Sequence, residues 1–541
     1  MATDDEGTGT FLRETSGVTR NVRLRDTFLY NVGIINVAVG ITFILFVMGF
    51  YPKVSIIGAI IITTVGGVIN ALVYYYFSAI MPRSGGQYVY LSRTFHPSIG
   101  FMISFNMVVQ VITFAAVLAT YLSGFGLSTL SAVLGQISGT ESLYSLAISL
   151  SPPAGTFLSA STLTFIIGAI VILFFGWLVA TGNKRVFTAQ NVGMVIAWLG
   201  VLALLVVLFT TPRETFISNF NQFTQDELTY QQVIATAKEN GMVNETNTLW
   251  ATLKFAVWPF YFLAFGALSS VFAGEIRDVQ RTQFMGTWTS TVTVGVSYIL
   301  IYLGAVQMMG YDFLAAVGYN FFLDPTGTTT VFPWIGLLGA IGASNQLLAL
   351  VIALGFLMWT WFWIPQQILF AARVMFAWSI DRLVPEQFGE VNSKYSTPMF
   401  ATIISTFFVL VALLIYTFGG AFITRILVGI GAIALGYIVF SLAAIVFPYT
   451  NKEMFEESDV SDHRIAGVPV MSIVGFINLI WMSFVTYFFF TDPLIGQSDP
   501  LALGYVAGVF LTGLIIYIGM RVYRRRQGID VDEAFDEIPV E

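Results

Sequence analysis

Met81-Pro82-Arg83-Ser84-Gly85-Gly86-Gln87-Tyr88-Val89-Tyr90-Leu91-Ser92-Arg93 lies between the second and third of a series of long apolar runs. Its residues read as a tight cytoplasmic turn. Proline removes a backbone donor and fixes φ, so Pro82 ends the helix before it. Gly85 and Gly86 admit backbone conformations that a Cβ excludes. Arg83 and Arg93 are expected at the lipid headgroups, where basic residues gather on the cytoplasmic side. A glycine-containing loop would account for the turn, but not for the paired tyrosines Tyr88 and Tyr90.

The rest of the chain is membrane-like. Of 541 residues, 56% are hydrophobic and 10% charged, where a soluble chain carries about a quarter charged residues. Apolar runs fall near 27–50, 54–81, 98–125, 161–181, 190–211, 251–274, 286–308, 346–371, 396–416, 423–447, 472–490 and 500–521. We number them segments 1 to 12; each approaches the roughly 20 residues that a spanning helix needs. The polar stretch Met1–Asp26 runs into a full-length apolar segment rather than a short signal-peptide core. With no cysteine, the chain has no disulfide, thiol nucleophile or thiolate metal site. The net charge of −7 reflects acidic loops and the tail Asp530–Glu541, and reads as solvation, with no nucleic-acid partner expected.

An even number of spans puts both termini on one side. With the termini inside, the cytoplasmic stretches hold nineteen basic residues, and the outer ones five: Lys53, Arg213, Lys238, Lys254 and Arg425. That asymmetry places both termini in the cytoplasm of a multi-pass plasma-membrane protein. The loops near 126–160, 212–250 and 309–345 are expected outside, as short helices lying on the membrane surface, with an Asn244-Glu245-Thr246 sequon in the second.

Charge is costly in a bilayer, so an ionisable residue at mid-membrane would mark function. None is expected there. Asp26 precedes segment 1, Glu275 ends segment 6, Arg373 follows segment 8, and His96 and His463 fall in loops. No phosphate-binding loop, metal cluster or catalytic constellation is present, so neither an enzyme nor a cofactor is expected. Neutral polar groups remain: Asn31 and Asn36 in segment 1, Asn106 and Gln110 in segment 3, Ser269 and Ser270 in segment 6, Gln366 and Gln367 late in segment 8. Any of them can simply bond across helices. Segments 1 and 6 are both interrupted by glycine, at Gly33 and Gly40 and at Gly266 and Gly274. Paired interrupted helices in equivalent places point to a transporter's binding site, although small residues also serve helix packing. Asn36, between two of those glycines, is the polar residue best placed for a functional role.

Pro82-Arg83-Ser84-Gly85-Gly86 with Tyr88 and Tyr90 closely resembles the signature of the amino acid–polyamine–organocation permeases. Two further stretches resemble the same family in the same order. Pro259 to Arg281 resembles an aromatic-glycine break followed by a Glu-x-Arg-Asp loop, with Val279 where the family usually has proline. Arg373 to Glu386, closing at Ser396-Thr397-Pro398, is similar to its loop between helices 8 and 9. The resemblance covers essentially residues 22 to 525.

The resemblance implies an all-α fold of twelve transmembrane helices. An inverted five-plus-five repeat of the leucine-transporter type would occupy 27–211 and 251–447. Two further helices would occupy 472–521, with cytoplasmic tails at 1–26 and 522–541. It implies a substrate between broken helices 1 and 6, with Gly33, Ile34, Asn36, Ala38 and Gly40 on one side and Phe262, Phe265, Gly266, Ala267 and Ser269 on the other. Phe262 falls where relatives place an aromatic lid. Half-helix ends offer N–H groups to a carboxylate and carbonyls to an ammonium, so a zwitterionic amino acid fits such a site. The family's Gly-x-Gly turn is Ala38-Val39-Gly40 here. Either unwinding begins earlier, around Gly33 to Asn36, or the carboxylate contacts differ.

The function implied is secondary transport by alternating access, with segments 1, 2, 6 and 7 moving against 3, 4, 8 and 9. Relatives that carry cations have an acidic residue near the helix 6 glycine; Ala267 and Leu268 stand there, which favours neutral amino acids. Phe114, Phe260, Tyr261, Phe262 and Phe265 suggest an apolar or aromatic one. A lysine used by some proton-coupled relatives would fall near Trp198 in segment 5, and none is nearby. Coupling to Na+ or H+, exchange and facilitated diffusion stay open. The alternatives are a cationic amino acid or polyamine exchanger of the same fold, and a ligand-sensing receptor that does not transport. A six-plus-six fold would predict similar loops after segments 2 and 8, and these differ.

Overall fold

The computed structural model describes residues 20–151, 161–243, 245, 247–324, 331–419, 429–495, 500–529, 531 and 535. The tail to Thr19, Asn244 and Thr246 of the sequon, Arg425, and the acidic tail beyond residue 529 except 531 and 535 lie outside them. The chain is almost entirely helical among the described residues; its strands are the two-residue pair Arg464–Ile465 and Val468–Pro469.

Eleven helices there are long and apolar enough to cross a membrane: Leu24–Phe50, Ile56–Ile80, Pro97–Ser138, Thr162–Ala180, Asn183–Thr210, Val279–Met309, Gln346–Ile380, Met399–Phe418, Gly431–Thr450, Val470–Thr491 and Pro500–Arg526. Segment 6 is represented by the shorter apolar helix Leu249–Leu263. Segment 1 sits at the centre: its most apolar stretch is wholly buried, whereas most of segment 12's faces outward. Around it, segment 2 packs on segment 7, segment 5 on the first half of segment 8, segment 3 on the second half, and segment 10 on segment 11.

The signature loop takes its shape from the neighbour it must approach. Gly85 and Gly86 adopt φ of +107° and +51°. A Cβ on Gly86 would come within 3.2 Å of the Val271 backbone, and one on Gly85 within 2.4 Å of the Ala377 Cβ. Gly85 N–H donates to Val271 O at 2.8 Å, locking the loop to the chain that follows segment 6. Tyr90 stacks on Phe77 and hydrogen-bonds Ser78.

Several expectations are corrected. Segment 3 does not end near 125: it continues to Ser138 through a wider π turn at Leu122–Leu127. Segment 8 runs on to Ile380. The loop near 212–250 carries the short helices Arg213–Phe223 and Tyr230–Glu239. Ile335–Gly342, by contrast, is almost wholly buried, wedged beside Thr42, whose hydroxyl accepts from Ile335 N–H.

Candidate functional site

Segment 1 is two helices. Leu24–Ile35 ends and Val37–Val47 begins at Asn36, with φ 61° and ψ 104°. Asparagine tolerates positive φ better than most residues, because its short amide bonds to nearby backbone. Here Asn36 Oδ1 accepts from Val39 N–H at 3.0 Å, capping the second half-helix, and Nδ2 donates to Trp359 O in segment 8 at 2.7 Å. The carbonyls released at the break are taken up by neighbours. Tyr298 Oη donates to Asn36 O at 2.9 Å and to Ile35 O at 3.2 Å, and Trp363 Nε1 donates to Ile34 O at 2.7 Å. Val37 and Ala38 begin the second half-helix, so their N–H groups have no intrahelical acceptor. The break falls within the Gly33–Asn36 interval, and Gly40 is helical.

Segment 6 unwinds opposite. Its helix stops at Leu263, three residues before Gly266, and 3₁₀ turns occupy Leu268–Val271 and Ala273–Glu275 over the rest of the apolar run to 274. Asn70 of segment 2 donates to Ala264 O at 3.0 Å, satisfying one carbonyl of the unwound stretch.

Between the two breaks lies a cavity of about 400 Å³, walled by Ile34, Val39 and Phe43 from segment 1, Phe114 from segment 3, Tyr261, Phe262, Phe265 and Leu268 from segment 6, and Trp363 and Gln367 from segment 8. Phe262 stacks flat on Trp363, ring centroids 5.7 Å apart, and meets Phe43 edge-on at 5.4 Å. No charged residue lines it among the described residues. Among the described residues Gln367 is the one amide on the wall, largely buried, with Oε1 lacking a hydrogen-bond partner there. The cavity extends towards Phe50, Tyr51, Phe322 and Leu494, away from the face that carries the N-terminal segment. At that end Tyr51 Oη donates to Asp492 and accepts from Trp258, while Lys254 pairs with Asp492 at 3.4 Å.

Of the ten residues expected at the site, Ile34, Phe262 and Phe265 line this cavity. Asn36 and Ala38 form the break behind it. Gly33 and Gly40 face other helices: a Cβ on Gly33 would lie 2.6 Å from Gln366 Nε2, and one on Gly40 would lie 1.7 Å from Tyr298 Oη. Gly266 and Ala267 are buried in the unwound stretch. Ser269 turns away to accept from Asn31 Nδ2 at 3.0 Å and donate to Gln283 at 3.1 Å, tying segments 1, 6 and 7 together. Phe260 is fully buried against Phe489 of segment 11 rather than at the cavity. The segment 5 side chain against Gly33 is Met194, one turn before Trp198, which faces Trp359. Trp363, Phe43 and Tyr298 were not singled out from the sequence. Nothing in a local pattern distinguishes a cavity aromatic from the chain's 50 phenylalanines.

Gly40→Ala is expected to destabilise the protein by roughly 1–3 kcal/mol, because the added methyl displaces Tyr298 from the break. Thermal unfolding in detergent checks this; an unchanged melting temperature would show that Tyr298 can move aside freely.

The N-terminal face is closed by two buried ion pairs, which corrects the expectation that Arg93 sits at headgroups and Arg373 follows segment 8. Arg93 donates both terminal nitrogens to Asp381, at 2.6 and 2.7 Å, and Tyr88 Oη donates to the same carboxylate at 2.7 Å. Burial and that carboxylate hold the Tyr88 hydroxyl well above its ordinary pKa, so it remains a donor. Arg373, fully buried inside segment 8, pairs with Glu275 at 2.5 Å and donates to Asn183 and Thr397. Val22 N–H donates to Glu275 O, and Arg277 N–H to Val22 O, sewing the stretch before segment 1 to the end of segment 6.

A model of the amino acid permease family matches residues 27–518. The chain belongs to that family. Among curated proteins, the permease is 24% identical over 416 residues to a methylthioribose transporter of Bacillus subtilis (strain 168), covering 76% of this chain and 77% of that protein. It is likewise 24% identical over 373 residues to an uncharacterised transporter of Rhizobium meliloti (strain 1021), covering 68% of this chain and 66% of that one. The permease is thus a multi-pass membrane transporter of a small molecule.

Proposed function

We propose that this permease is a secondary transporter of neutral amino acids, apolar or aromatic, working by alternating access across the plasma membrane. The observation that carries the reading is the uncharged cavity between the Asn36 break and the unwound chain after Leu263. The substrate carboxylate sits at the Val37 and Ala38 N–H groups, where a half-helix N-terminus favours an anion. The ammonium faces carbonyls of the segment 6 break and the Gln367 amide oxygen. The side chain lies against Phe43, Phe262, Phe265 and Trp363, with Phe262 as the lid. Twelve spans in an inverted five-plus-five arrangement, with segment 6 crossing despite its break, account for the paired discontinuities. The termini are cytoplasmic: described basic residues such as Arg93, Arg185, Arg373, Lys394 and Arg524 share the N-terminal face. In this orientation the two ion pairs close the cytoplasmic side while the cavity extends outward. With Met194 against Gly33, no segment 5 lysine takes part in coupling.

A second reading is an uncharged thioether sugar, favoured by the absence of charge on the cavity wall together with the methylthioribose-transporting relative. Thermal stabilisation of the purified protein separates the two. A panel of the natural amino acids, polyamines and methylthioribose is added with and without sodium, each ligand well above its dissociation constant. A ligand at 100 times that constant adds about 2.7 kcal/mol. Shifts confined to neutral amino acids, followed by their uptake into proteoliposomes, are expected. Shifts with methylthioribose alone favour the second reading, and shifts with polyamines or cationic amino acids overturn both.

A further inference from the structure

We infer that the N-terminal face carries a binding site for an anionic phospholipid, in a pocket between segments 4, 5 and 8 that lies apart from the substrate cavity. The pocket encloses about 970 Å³ and has two chemically distinct parts. At its mouth stand Lys184 and Arg185, at the start of segment 5, and Lys394, in the loop after segment 8. Arg185 and Lys394 both rest on the ring of Tyr395, at 5.6 and 5.2 Å from its centroid. Further along the groove, the outward-facing Val192 and Ile196 of segment 5 line it together with Met358 and Trp361 of segment 8.

Three exposed cations gathered at one mouth raise the local positive potential and favour an anion there, and among the described residues none of the three forms an ion pair with a carboxylate. Among the described residues Glu275 is the single acid on the wall, and it is already engaged by Arg373 and Asn183. The ring of Tyr395 cannot neutralise them; it only fixes where they stand. A phosphate at the mouth supplies the counter-charge, and the outward-facing apolar side of the groove takes an acyl chain, which a soluble phosphate lacks. Basic pockets between spanning helices suit anionic headgroups in this way. Because Asn183 and Glu275 form the pocket's inner wall, an occupant there presses on the cluster that closes this face of the bundle.

The test uses the full-length protein in native mass spectrometry, with phosphatidylglycerol and phosphatidylcholine offered together. Preferential retention of phosphatidylglycerol is expected, falling roughly fivefold for each of K184Q, R185Q and K394Q. Val192→Trp obstructs the apolar side of the groove without changing charge and should also lower retention. Equal retention of the two lipids overturns the proposal. So does phosphatidylglycerol retention unchanged in the triple glutamine variant, retention untouched by Val192→Trp, or displacement of the lipid by millimolar inorganic phosphate.

Discussion

Arg373→Ala is expected to destabilise the permease by about 3–5 kcal/mol, the cost of leaving one member of a buried ion pair without its partner. Arg373 is fully buried and Glu275 nearly so, and the guanidinium ties together three places distant in sequence: Glu275 after segment 6, Asn183 at the start of segment 5 and Thr397 before segment 9. Removing it leaves a nearly buried carboxylate without its counter-ion. Desolvation decides the magnitude here, more than the strength of the lost contact. The converse follows from the same physics. Replacing both partners by apolar residues, Arg373→Met with Glu275→Leu, should recover much of the stability, since no unpaired charge remains. Transport should not recover with it, because the pair also holds the cytoplasmic ends of segments 6 and 8 together in the proposed outward-open state. Thermal unfolding and proteoliposome uptake, measured on the same preparations, separate the two effects. A loss below about 1 kcal/mol for Arg373→Ala would mean that the site is wet, as an exposed pair would be.

That cluster also marks where the sequence could and could not be read. A hydropathy window ends a segment at its first charge, so Arg373 looked like the residue after segment 8. In the structure the helix continues for seven residues beyond it, because the charge is cancelled by an acid that no window contains. Arg93 misled in the same way, its partner Asp381 being far along the chain. In segment 6 the glycines pointed to a break, but its extent was not legible. Phe265 to Gly274 is as apolar as the helix before it, and apolarity alone cannot distinguish helix from unwound chain. What was legible was local and chemical. The glycines of the signature loop occupy conformations that only their absence of Cβ allows, and Asn36 stands at the break because an amide can replace the backbone bonds lost there.

Asn36→Ala should therefore cost about 3 kcal/mol, made up of a lost cap, a Trp359 carbonyl left without its donor, and alanine held at positive φ. Asn36→Gly isolates these contributions. Glycine adopts φ near 61° without strain, so it should recover about 1 kcal/mol while still lacking both side-chain bonds. The consequence for transport should be larger than for stability. With Oδ1 gone, Val39 N–H joins Val37 and Ala38 as a free donor, and the proposed carboxylate subsite loses its definition. With Nδ2 gone, segment 1 is no longer tethered to Trp359 of segment 8. If segments 1 and 6 move against segments 3 and 8, that tether is one of the bonds that must break in each cycle. Asn36→Gly should then be the more stable of the two variants yet remain nearly as impaired in substrate-induced stabilisation as Asn36→Ala. Wild-type substrate affinity in Asn36→Gly would place the carboxylate elsewhere and leave Asn36 as a backbone device alone.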